Sequence, residues 1–256
     1  MALIRIENAS VDFMLASRAR TSFKDTLRAM AIGGFLRRAH GQLGVSALSN
    51  INLEIKDGDR VGILGANGAG KTTLLKLMAG ILPPTEGKIR IEGDVSALLS
   101  LYLGATAENT GYENIVSRAR LMGRTEAEIN AHYAEIAEFS ELGDFLNLPM
   151  KTYSAGMSLR LMFAVATAFE PDILILDEWL SAGDDAFRRK AADRLNSLIE
   201  RTRIVVFASH SRQMLKQVCN KAIILEHGSA VFAGSIDDAL DERAKAAPSQ
   251  LAQAAG

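Results

Sequence analysis

The run GANGAGKT at residues 65–72 fits the spacing G-x-x-x-x-G-K-[ST], with the apolar VGILG leading into it and KTTLLKLMAGIL following. Gly65, Ala66, Asn67, Gly68, Ala69 and Gly70 make a loop whose glycines let the backbone curl. Successive N–H groups then point at the β- and γ-phosphates of a nucleotide, helped by the N-terminus of the next helix. Lys71 adds a point charge on those phosphates, and the Thr72 hydroxyl is a ligand for Mg2+. Thr73 is assigned to the same nucleotide site. A chance Gly-rich turn is the alternative, and the strand and helix on either side argue against it.

ILILDE at 173–178 supplies a second half. Four apolar residues bury a strand, and Asp177 emerges at its C-terminal edge, where ligands of open α/β sheets sit. A carboxylate there holds Mg2+, directly or through water. Glu178, one residue on, is placed to orient or deprotonate an attacking water. His210 in ASHS follows another apolar run, IVVFAS, and can hydrogen-bond the γ-phosphate or the attacking water. KTYSAGMSLRL at 151–161 opens a helix behind a serine. By residue type alone it is either an ordinary cap or an anion-meeting motif.

These residues need a scaffold. Residues 3–7 and 51–56 alternate like edge strands, and DGDR at 57–60 is a tight turn into VGILG, a short apolar stretch of the buried parallel kind. KTTLLKLMAGIL at 71–82 reads as a helix stopped by Pro83 and Pro84, and Asn109 to Leu148 is helical in pattern. ILIL at 173–176, IVVFAS at 204–209 and AIILEH at 222–227 are further apolar strands. Helical segments between strands predict an α/β core with a mostly parallel sheet.

The ordered set GANGAGKT, YSAGM, ILILDE, SAGD and ASHS resembles the ATP-binding-cassette ATPases, from residue 3 to about 240. In that family a Ser-Gly-Gly-Gln signature opens a helix and caps the γ-phosphate bound by the other subunit. Ser154 and Gly156 match its Ser and second Gly, while Ala155 replaces the first Gly and Met157 the Gln. A Ser hydroxyl, a small residue and a helix N-terminus suffice physically to meet an anion. By position, Asp184 in SAGD matches the Asp that runs across the dimer contact. Phe13 in ENASVDF matches the aromatic that stacks on adenine, with a core aromatic as the alternative. The family's Gln, which touches Mg2+ and senses the membrane partner, has no counterpart, since no Gln occurs from Val45 to Ser211. Ser100 is the position assigned to it.

The resemblance implies a P-loop NTPase (RecA-like) α/β core with a mostly parallel sheet, an antiparallel β edge and an inserted helical subdomain. It divides a single nucleotide-binding domain, 1–256, into a catalytic core at 1–103 and 153–240, a helical subdomain at 104–152 and a C-terminal tail at 241–256. Within the family, TYSAGMSLRLMFAVA, DEWLSAGDDAFRRKAADRL, ASHS and TGYENI look like the polysaccharide, O-antigen and teichoic-acid export ATPases. That likeness implies ATP hydrolysis with Mg2+, coupled to export of a lipid-linked polysaccharide. It also implies a head-to-tail homodimer enclosing two ATP molecules, an integral-membrane permease as partner, and a peripheral place on the cytoplasmic side of the inner (cell) membrane. Some members carry an extra C-terminal carbohydrate-binding domain, and this sequence is expected to be too short for one. Soluble cassette ATPases of DNA or ribosomes usually carry a coiled coil or two cassettes, and neither is evident in the sequence. A P-loop kinase or GTPase would leave YSAGM and His210 unexplained.

Composition agrees with these limits. A hydrophobic share of 48% and a charged share of 23% suit a globular protein, and a net charge of −1 offers no whole-chain argument for nucleic acid. No uncharged apolar run approaches the ~18 residues of a membrane span, and MALIRIENAS does not read as a signal peptide. Cys219 is the sole cysteine, so no internal disulfide is possible and a thiol-keeping cytosol is the expected home. Residues 17–40 are locally basic, with Arg18, Arg20, Lys24, Arg28, Arg37 and Arg38 against Asp25. Phe23, Leu27, Met30 and Ala31 recur at helical spacing up to Gly33-Gly34. The segment reads as a solvated surface helix or as a basic amphipathic helix suited to anionic headgroups. In the export ATPases it resembles, an insertion here faces the membrane partner.

Overall fold

The computed structural model describes residues 1–14, 35–39, 42–99, 101–177, 184–209 and 211–242. Alternating apolar residues dominate its N-terminal part. β1 (Leu3–Met14) pairs antiparallel with β3 (Gln42–Lys56), from Leu3 opposite Lys56 to Met14 opposite Gly44. The register slips near Asn8 (φ 50°) and Asn50 (φ 51°), a left-handed conformation that asparagine tolerates better than most residues. β2 (Phe35–Ala39) adds to the far side of β3, and β5 (Glu86–Glu92) to the far side of β1. Ile4, Ile6, Ala9, Leu48, Ile51 and Ile55 bury one face of this four-stranded sheet. The stretch 3–7, expected at an edge, is therefore an inner strand, with β3 on one side and β5 on the other, whereas β2 pairs with Gln42–Ser46 of β3 and not with 51–56.

The second sheet runs in the order β10-β9-β4-β8-β7-β6. It comprises β4 (Arg60–Gly65), β6 (Val95–Leu98), β7 (Ile173–Asp177), β8 (Ile204–Ala208), β9 (Lys221–Glu226) and β10 (Ser229–Ser235). β4 lies parallel to both β8 and β9, and β10 closes one edge antiparallel to β9. Every residue of β8 and the inner residues of β4 and β9 are buried, the pattern of a parallel sheet covered on both faces. The fold is thus α/β with a mostly parallel sheet.

Six helices of the described residues concern the site: α1 (Lys71–Met78), α2 (Gly111–Leu121), α3 (Glu126–Ser140), α4 (Ala155–Ala166), α5 (Asp185–Arg201) and α6 (Arg212–Val218). α1 ends earlier than its sequence suggests. Gly80 takes φ 69°, its N–H bonds Leu77 O, and the Ile81 N–H bonds Lys76 O, so a left-handed glycine cap stops the helix before the prolines. α2 and α3 each start with a reciprocal capping box, Thr110 with Glu113 and Thr125 with Glu128.

The described residues fall into two compact units. The first is drawn from Met1–Val95, Ile175–Glu178 and Arg203–Gly256, the second from Ser96–Leu174 and Trp179–Thr202. The second unit is centred on Phe139, Phe163 and Phe187, whose rings lie 5.9–6.0 Å apart and join α3, α4 and α5. In the first, Cys219 is buried and its thiol is pushed up to about 12 by loss of hydration. Such a thiol stays protonated and inert at neutral pH. Among the described residues, no helix is long and apolar enough to cross a membrane. Of the basic stretch 17–40, only Phe35–Ala39 is described, as β2; the rest, and the tail from residue 243, lie outside the described residues.

Candidate functional site

In the first unit, β4 delivers the chain to Gly65 and α1 carries it away from Gly70. The loop between them accepts no bulk at either end. A Cβ on Gly65 would stand 2.7 Å from Leu225 O on β9, and one on Gly70 would stand 2.7 Å from Ala47 O on β3. Gly68 and Gly70 take φ 78° and 104°, a region that costs any other residue strain. Lys71 folds its ammonium back over the loop, donating to Gly65 O and Ala66 O at 3.0 Å each. Ala66, Asn67 and Gly68 are exposed, whereas Ala69 is buried.

The loop is also braced from outside its own sequence. The Gly228 N–H donates to Ala69 O at 3.0 Å, and the Ser49 N–H donates to Gly228 O at 2.9 Å. Gly228 sits at φ 80°, with a would-be Cβ 2.8 Å from Ala47 O. Gly228→Ala is therefore expected to destabilise the fold by about 1–3 kcal/mol and to weaken nucleotide binding at the loop it braces. Thermal unfolding and ATP titration measure the two effects, and wild-type values in both would show the brace to be dispensable.

Asp177 ends β7, and its Oδ2 accepts a hydrogen bond from Thr72 Oγ1 at 2.8 Å. Residues 105 apart in sequence thus meet at the start of α1. Both offer hard oxygen donors of the kind Mg2+ takes. Glu178, His210 and Ser100 lie outside the described residues. On either side of position 210, the Ser211 N–H donates to Ser209 Oγ at 3.1 Å, and Ser211 caps α6 by accepting from the Met214 N–H at 3.3 Å. Phe13 stands 45% exposed on β1, unlike its buried neighbour Val11. It faces Val45, two residues along β3 from the Ala47 carbonyl that abuts Gly70.

The second unit holds the other motif. Ser154 caps α4, its Oγ accepting from the Met157 N–H at 3.2 Å. Ser154 and Ala155 are exposed, and a Cβ on Gly156 would meet nothing nearer than Ser154 Oγ at 3.9 Å. Asp184 caps α5 by accepting from the Phe187 N–H at 2.9 Å, and it is ion-paired with Arg160 of α4. That N–H, then the guanidinium, hold the Asp184 carboxyl below its ordinary range. Arg160 also bonds Glu141 at 2.9 Å and lies over the Phe187 ring at 5.3 Å, and Glu141 takes a second cation, Lys190, at 2.6 Å.

Sequence reasoning missed Arg160, Glu141 and the bracing residues Ala47 and Gly228. Arg160 is six residues beyond Ser154, a helical spacing that places it well past the cap, and nothing local announces its partner. His227-Gly228 between two apolar runs was a readable turn signal, but its contact with the loop is made across the fold.

A family model described as ABC transporter matches residues 48–181. RfbE of Yersinia enterocolitica, an O-antigen export system ATP-binding protein, is 42% identical over 93% of this chain and 99% of its own length. TagH of Listeria monocytogenes serotype 4b, a teichoic acids export ATP-binding protein, is 39% identical over 77% of this chain. RfbB of Myxococcus xanthus, another O-antigen export system ATP-binding protein, is 41% identical over 81%. The matched regions span 58% and 47% of these two relatives' own lengths. Among solved structures, an ATP-binding subunit of an ABC transporter superposes with a TM-score of 0.65 at 21% identity, over 92% of this chain and 91% of that one. A dimeric cassette in a post-hydrolysis state, bound to ADP and Pi, gives 0.64 at 20% identity, over 91% and 98%. These two likenesses show the fold, and the family match runs across both the 65–72 loop and Asp177. With that match and a relative so similar along nearly its whole length, the chain belongs to the ABC transporter family.

Proposed function

We propose that two copies of this chain, paired head to tail, bind and hydrolyse ATP with Mg2+ to drive export of a lipid-linked polysaccharide through a membrane permease. The observation that carries the reading is the meeting of Thr72 and Asp177 at 2.8 Å beside the exposed 66–68 loop. The loop amides and Lys71 bind the phosphates, and Thr72 with Asp177 hold the metal. Bound Mg2+ would neutralise charge on the phosphoryl oxygens. Glu178 orients or deprotonates the attacking water, and His210 holds that water or the γ-phosphate. Thr73 belongs to the same nucleotide site, and Phe13 stacks on the base.

The partner copy completes each site with Ser154, Gly156 and the N-terminus of α4, while Asp184 runs across the pair. One phosphate loop and one signature per chain make two equivalent sites in the dimer. Its place is peripheral, on the cytoplasmic side of the cell membrane, with 104–152 as the helical subdomain within the nucleotide-binding domain. The relatives that export O-antigen and teichoic acids support the substrate class.

Asp177→Asn tests the site. It is expected to lower Mg2+-dependent ATP hydrolysis about 10²-fold, as loss of about 3 kcal/mol of charge stabilisation would. Affinity purification from the native host tests the partner and should recover a multi-spanning membrane protein. Full hydrolysis by Asp177→Asn overturns the metal assignment. Recovery of nucleic acid in place of a membrane protein overturns the export reading.

A further inference from the structure

Two buried polar side chains of α2 stand apart from the nucleotide chemistry. Asn114 is 0% exposed and turns its amide on a single loop. Its Oδ1 accepts from the Thr106 N–H at 2.8 Å. Its Nδ2 donates to Thr106 O, Asn109 O and Thr110 O at 3.0, 3.1 and 3.0 Å. Arg118 is 4% exposed and donates from Nη1 to Leu103 O at 2.8 Å. Its Nε has no hydrogen-bond partner, and burial lowers its pKa with no carboxylate to oppose the shift. A cation buried on one carbonyl is costly, and an apolar residue would serve packing better. Both side chains hold the loop 101–110.

The other side of that loop is hydrogen-bonded to the chain just before the signature serine. The Met150 N–H donates to Asn109 O and the Lys151 N–H to Ala107 O, each at 2.8 Å. The Gly111 N–H donates to Leu148 O at 3.3 Å, and Thr110 forms an antiparallel bridge with Pro149. Tyr153 donates its hydroxyl to Phe145 O at 2.6 Å and covers Gly111, where its oxygen leaves no room for a Cβ. Ser154 is the next residue. All of these groups belong to the second unit.

Resting on the function proposed above, we infer that Asn114 and Arg118 are positioning residues for Ser154, acting through the loop 101–110 and the run 148–153. The loop follows the stretch in which the family's Gln is missing. A displacement of the loop therefore reaches the signature serine through backbone hydrogen bonds, without a Gln side chain.

The test uses the full chain. Arg118→Met keeps an apolar stem and removes the donor to Leu103. Amide hydrogen exchange at Met150 and Lys151 should quicken at least tenfold, and kcat should fall about tenfold. The Kd for ATP at the phosphate loop should stay within twofold. Arg118→Lys, which can still donate to Leu103 O, should recover at least half of the lost kcat. If Arg118→Met does not fold, Tyr153→Phe loses only one hydroxyl and should show the same pattern more weakly. Unchanged exchange at Met150 and Lys151, or faster exchange with wild-type kcat, overturns the inference. Exchange needs no nucleotide, so an unaltered chain that fails to hydrolyse ATP would sink the proposed function while the exchange result still decides whether Arg118 holds the run 148–153.

Discussion

Glu178→Gln is expected to bind ATP as tightly as the unaltered chain and to hydrolyse it ~10²–10⁴-fold more slowly, the range a positioned general base contributes. Residue 178 directly follows Asp177, which β7 brings to 2.8 Å from Thr72. On the function proposed above its carboxylate activates the attacking water, and an amide of the same shape lacks that basicity. The ATP-bound pair should then persist, visible as a dimer in size-exclusion chromatography with Mg-ATP. Lys71→Ala should behave oppositely, losing ATP binding and with it the dimer. Hydrolysis by Glu178→Gln at the wild-type rate would move the base elsewhere.

Ser154→Arg carries the second large effect. A long cation at the N-cap of α4 replaces a hydroxyl at an exposed helix start and repels the positive end of the helix dipole. The variant should still bind ATP on its own phosphate loop, yet hydrolyse none. Mixing it with Lys71→Ala then decides whether sites are shared between copies. A pair with one chain of each kind has one site that joins an intact loop to an intact signature, and that site can still bind ATP. Two inactive proteins should therefore regain a measurable part of wild-type hydrolysis, up to about half if the sites work independently. No recovery of ATP-dependent pairing or hydrolysis would count against a site built from two copies.

Local patterns were the legible part of this protein. GANGAGKT, ILILDE and the apolar runs of β4, β8 and β9 state their chemistry in consecutive residues, and the mostly parallel sheet follows from their alternation with helices. β5 was not legible, because EGKIRIE is mostly exposed and becomes a strand only by pairing with β1. β2 likewise depends on β3. The end of α1 was misplaced because two prolines outweighed Gly80, though the left-handed cap acts first. At the site, the meeting of Thr72 with Asp177 could be anticipated from strand ends. The brace of Gly228 against Ala69 and the pairing of Arg160 with Asp184 could not, since each joins segments whose nearness is decided by tertiary packing.

On the function proposed above, Gly156 separates what the chain needs in order to fold from what it needs in order to be used. Glycine is a poor helix former, about 1 kcal/mol worse than alanine in a helix interior, and here it lies in the first turn of α4. At Gly65, Gly70 and Gly228 a side chain would strike backbone, so the fold itself demands glycine. At Gly156 it would strike nothing in the chain. A screen for folded, soluble subunits would therefore accept alanine there, and one for the working pair is where its absence would be felt. Tolerance measured on the lone subunit is a poor guide to that residue's importance.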